Sequence, residues 1–154
     1  MKNFSQSIFT QIIGYLVLLI ILITIAAIAL LPYVVAWYLR DMGVADSQWT
    51  TNVLLGLLYP CGLLALLTEW EVFRIFRSLS QNNPFIIQNV KAFRRIAIYL
   101  FGIAVMFIIK ICLLNTLMTM LGAFAFIVVG LLMLVLSDVF HQAVVYKEDN
   151  DLTI

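Results

Sequence analysis

From Asn3 to Tyr38 the chain carries no charged side chain. The apolar body of that run is Ile12 to Trp37. An α-helix rises about 1.5 Å per residue, so about 20 apolar residues cross the ~30 Å hydrocarbon layer of a bilayer. The run is longer than the apolar region of a signal peptide, about 7–15 residues, and no small-x-small cleavage site follows it. It therefore reads as a retained first transmembrane helix. Pro32, near its outer end, is expected to kink or end it. Tyr33, Trp37 and Tyr38 suit an interfacial aromatic belt. Composition supports the same class: hydrophobic residues make up 64% of the 154 and charged residues 11%. Soluble domains average about 45–50% and about 25%. A soluble globule and a disordered chain are both excluded, which leaves an integral membrane protein of one domain. The net charge of +1 gives no reason to expect direct nucleic-acid binding.

Three further spans follow. A short polar loop, 40–48, leads to a second span over about 49–68. Between Arg95 and Asp138 the only charge is Lys110, and the interval is too long for one crossing. Asn115, Thr116 and Thr119 mark a turn within it, so the third span is about 96–114 and the fourth about 117–139. The expected fold is all-α: a four-helix transmembrane bundle, with a short amphipathic helix before the third span. The connection 69–95 and the tail 140–154 lie outside the spans. Pro60, beside Cys61 and Gly62, predicts a packing kink in the second span; the sharper alternative is a hinge or a ligand-lined break.

An even number of crossings places both termini and the 69–95 connection on one side. That side holds Lys2, Arg74, Arg77, Lys91, Arg94, Arg95 and Lys147, and the other holds only Arg40 and Lys110. The positive-inside rule assigns the basic side to the cytoplasm. The setting expected is a membrane crossed several times, with both termini in the cytoplasm.

Most conspicuous polar motifs fall on the basic side. Glu71, Arg74 and Arg77 recur at helical spacing and predict a solvated, interfacial face. Asn83 is expected to cap a new helix, with Pro84 in its first turn. Ile86, Val90, Phe93 and Ala97 then line one side, and Gln88, Lys91 and Arg95 the other. Lys91, Arg94 and Arg95 are expected at the anionic leaflet, as orientation anchors or as a lipid or phosphate contact. Asp138 and His141 share a helix face, without the nucleophile or metal that catalysis would require. The tail carries Glu148, Asp149 and Asp151, which fit either a frayed end or a docking strip attracted to Arg94 and Arg95. Within the spans, Lys110 is the candidate polar site. It reads either as a lysine snorkelling to the outer interface, with Asp41 or Asp46 in reach, or as part of an ion or proton pathway. No acid is expected deep in any span to complete such a pathway.

Cys61 and Cys112 lie in apolar runs and read as buried hydrophobes. One histidine and two such cysteines make no zinc site. No Gly-rich phosphate loop and no nucleophile with a base is present, so neither an enzyme nor a cofactor is expected.

The stretch Asn83-Pro84-Phe85, then Asn89, then Phe93-Arg94-Arg95-Ile96-Ala97, resembles a family hallmark. So does the carboxyl end from Asp138-Val139-Phe140 to Lys147-Glu148-Asp149-Asn150-Asp151-Leu152-Thr153-Ile154. Together they resemble domain-of-unknown-function family 2975, the YoaS-like small bacterial membrane proteins, from about the second span to the last residue. That family often has Gly before the Pro-Phe pair; Asn83, which tolerates unusual backbone angles, stands there here. The resemblance implies a four-helix membrane protein of unestablished activity. It also implies a link to a small helix-turn-helix regulator of the Cro/CI type, and it carries over no catalytic residue.

Two functions are therefore expected to compete. The first is an interaction protein whose cytoplasmic face holds a soluble regulator. The second is a subunit of an oligomeric small transporter or channel, with Pro60, Gly62 and Lys110 along a path. Partners would be membrane lipids, the regulator, and a second copy; Gly122, Ala123 and Gly130 suit either helix packing or such self-association.

Overall fold

A computed structural model describes residues 2–41, 43, 48–80, 85–113 and 116–151, with side chains described from 12 to 150 within those ranges. It contains four helices: α1 (Lys2–Asp41), α2 (Gln48–Ser80), α3 (Ile87–Leu113) and α4 (Leu117–Asp151). Each is long and apolar enough to cross a membrane. The protein is a multi-pass membrane protein.

The helices are longer than their apolar cores. Pro32 does not end α1, which runs on to Asp41, and Pro60 lies inside α2. After Asp41, Gly43 at φ +63° donates its N–H to the Arg40 carbonyl at 3.2 Å. This left-handed backbone is open to glycine and strained for other residues. Thr116 starts α4: its carbonyl and its Oγ1 both accept from the Thr119 N–H, at 2.9 and 3.4 Å. The expected amphipathic helix is no separate element. Its residues from Ile87 on form the first turns of α3, which begins three residues later than a cap at Asn83 requires and continues unbroken into the span. Asn83 and Pro84 lie outside the described residues. The tail is helical as far as Asp151.

The helices form an antiparallel row. Among the described residues, helix backbones adjoin between chain neighbours only: α1 on α2, α2 on α3, and α3 most extensively on α4. The core follows that order. Val35 and Leu39 of α1 pack on Leu54 of α2 near the end where Arg40 lies. Ile75 of α2 packs with Ala92, Ile96 and Leu100 of α3, and Phe126 and Met133 of α4 cover that cluster. Glycines set the closest approaches. A Cβ on Gly122 would stand 2.8 Å from the Phe107 ring, and one on Gly130 2.9 Å from Phe101. These small residues of α4 therefore receive rings of α3 within the chain. The two cysteines diverge from expectation: Cys61 is buried, whereas Cys112 is exposed on an apolar stretch.

Candidate functional site

The basic end of the row is where polar side chains converge. Glu71 of α2 is buried, 6% exposed, and does not belong to a solvated face as its spacing predicts. Arg95 of α3 grips it with both arms of a fork: Nε to Oε1 at 2.7 Å and Nη2 to Oε2 at 2.9 Å. Arg74, one turn along α2, adds a longer contact of 3.5 Å. A bidentate arginine fixes orientation as well as charge. Arg95 is thus a tie between α2 and α3 rather than a free contact for a partner or lipid. Asn89 is the same kind of correction. It is 3% exposed and donates to Ser78 Oγ at 2.9 Å, so it too joins α2 to α3.

One acid reaches deeper than its sequence position implies. Glu69 Oε1 accepts from Thr24 Oγ1 at 2.6 Å, and its Oε2 is buried without a hydrogen-bond partner among the described residues. Thr24 lies twelve residues, or about 18 Å, inside the apolar run that begins at Ile12. This bond sets the register of α1 on α2. It lays the apolar segment Ile12–Ile23 beside the charged extension Glu69–Ser80. Glu69 itself stands in α2, just past the expected end of the second span at residue 68.

On the other side of α3 lies a groove against α4. Ile87, Val90, Lys91 and Arg94 line one wall, and Ser137, Asp138 and His141 the other, around about 390 Å³. Ser137 is buried and closes the floor by donating to the Val90 carbonyl at 3.1 Å. Lys91, Arg94, Asp138 and His141 are all exposed along it. Farther from the membrane a second groove, about 540 Å³, runs between residues 85–88 and Val144, Lys147 and Glu148. Phe85 is 43% exposed and its ring meets Phe140 at 5.8 Å. Glu148 and Asp149 are exposed, and the side chain of Asp151 lies outside the described ones.

Lys110 sits at the opposite end. Its Nζ donates to Thr119 Oγ1 at 3.0 Å and stands 5.7 Å from the centre of the Tyr38 ring. Thr119 is buried and also bonded to Thr116 at 2.7 Å. The lysine is held by α4 and an aromatic face of α1, not by Asp41. Asp46 lies outside the described residues. No group of three or more His, Cys, Asp or Glu side chains suited to a metal occurs among the described residues.

Sequence comparison adds one finding. The family model described as protein of unknown function, DUF2975, matches residues 41–154. The chain belongs to this family. The match takes in α2, α3 and α4, with both the Glu71–Arg95 tie and the two grooves, and leaves α1 outside apart from Asp41. No curated protein and no solved structure matches the chain. Family membership therefore brings no activity, and the function must be argued from the surfaces.

Proposed function

We propose that this protein is a small multi-pass protein of the bacterial cytoplasmic membrane that presents its basic end, in the cytoplasm with both termini, to a soluble helix-turn-helix regulator. The carrying observation is the helical extension of α4 beyond its apolar run. From Val139 to Asp151 it adds about 18 Å of helix. With residues 85–88 it forms the outer groove, whose wall mixes Phe85 and Val144 with Lys147 and Glu148. Apolar anchors rimmed by charge suit a protein contact. The distribution of basic residues supports the cytoplasmic assignment, and the regulator is the partner that the family resemblance implies. Against a transporter or channel subunit stand two observations. The helices adjoin only as chain neighbours among the described residues, and Lys110 is already engaged by Thr119.

Mild crosslinking in native membranes, followed by mass spectrometry, tests this reading. The full chain is expected to capture a helix-turn-helix protein, and a chain lacking 147–154 to lose it. Lys110→Met is expected to capture it undiminished. Recovery of self-oligomers alone from all three chains would overturn the proposal and direct attention to solute flux in liposomes.

A further inference from the structure

We infer that the groove between α3 and α4 at the basic end is a binding site for one anionic phospholipid, with Lys91 and Arg94 holding the phosphate of its headgroup. Adjacent arginines of α3 divide the work. Arg95 turns to α2 and is consumed by Glu71. Arg94 turns the other way and lines the groove with Lys91, and no ion pair engages either among the described residues. Two unpaired cations beside a membrane attract phosphate oxygens. His141 faces them from α4 as a further hydrogen-bond donor.

Two features point to a lipid. First, exposed apolar residues continue both walls of the groove. Ile98, 60% exposed, lies one turn beyond Arg94 on α3. Leu131, 52% exposed, lies two turns from Asp138 on α4. Both stand on the side of the groove, toward the membrane, where acyl chains continue from a headgroup. Second, the groove is not uniformly basic. Asp138 is an acceptor beside the two cations. A headgroup carrying both a phosphodiester and free hydroxyls, as in phosphatidylglycerol, satisfies both: phosphate on Lys91 and Arg94, hydroxyl donated to Asp138. The site then balances its single excess positive charge against the single negative charge of the lipid. This inference requires only that the chain sits in a bilayer, and it stands whether or not a soluble partner binds α4.

Native mass spectrometry of the delipidated full chain in detergent, titrated with defined lipids, tests it. The expected result is one phosphatidylglycerol retained per chain, with phosphatidylcholine retained weakly. Arg94→Gln is expected to weaken retention about fivefold and Lys91→Gln/Arg94→Gln about twenty-five-fold, as each cation at a leaflet surface contributes about one such factor. Arg77→Gln removes an exposed cation of the same end outside the groove and is expected to leave retention unchanged. Circular dichroism confirms that each variant keeps its helices. Equal retention of the two lipids, or equal loss in Arg94→Gln and Arg77→Gln, would overturn the site. Displacement of the lipid by equimolar glycerol 1-phosphate would overturn the lipid assignment in favour of a soluble phosphate ligand.

Discussion

Arg95→Ala is expected to destabilise the folded chain by about 3 kcal/mol, the low end for removing one partner of a buried ion pair. The low end applies because Arg95 keeps 38% of its side chain exposed, whereas Glu71 keeps 8%. The loss comes mostly from Glu71, left charged and desolvated with only the 3.5 Å contact to Arg74. Glu71→Gln is expected to cost less, since the amide carries no charge to strand and still accepts a hydrogen bond. Replacing both, as in Glu71→Leu/Arg95→Leu, is expected to recover most of the loss, because apolar pairs of similar volume substitute well for buried ion pairs. Unfolding in mixed micelles reads all three. An Arg95→Ala protein within 0.5 kcal/mol of the parent, about the scatter of neutral surface changes, would mean that the fork does not hold α2 to α3.

Gly130→Leu is expected to cost about 2 kcal/mol, in the range for overpacking a filled interface. A Cβ there would already meet Phe101 Cε1 at 2.9 Å and Cζ at 3.1 Å. The rest of a leucine side chain forces the ring aside or the helices apart. In a membrane, where lipid is as apolar as leucine, close packing is what holds helices together, so the separation is not offset by hydrophobic gain. Phe101→Ala in the same chain vacates the space and is expected to restore most of the stability. Leu132→Ala, on a residue 54% exposed to the membrane, serves as the neutral comparison. If Gly130→Leu were as mild as Leu132→Ala, the α3–α4 contact would not depend on that close approach.

The polar ties were partly visible in advance. Glu71 and Arg95 each stand twelve residues from Asn83, on either side of it in sequence, and Ser78 and Asn89 stand five and six residues from it. Residues equidistant from a helical hairpin turn meet across it, so this symmetry carried the signal. Spacing along α2 alone could not show it, because i,i+3 periodicity describes one helix and is blind to the next. Glu69 was hidden differently. Its depth depends on how far α1 slides along α2, which the Thr24 bond and the packing of Val35 and Leu39 on Leu54 define together.

Charge-free length determined by itself that this protein crosses a membrane four times, since about 20 apolar residues in a helix satisfy their own backbone bonds and match the hydrocarbon thickness. It also determined which connections are polar. The tertiary structure decided which polar groups are free. Arg94 and Arg95 are neighbours of the same type, yet one is locked to Glu71 and the other lines an open groove. A rotation of about 100° per residue sends adjacent side chains of one helix toward different neighbours, and which neighbour stands on each side is a property of the assembled row.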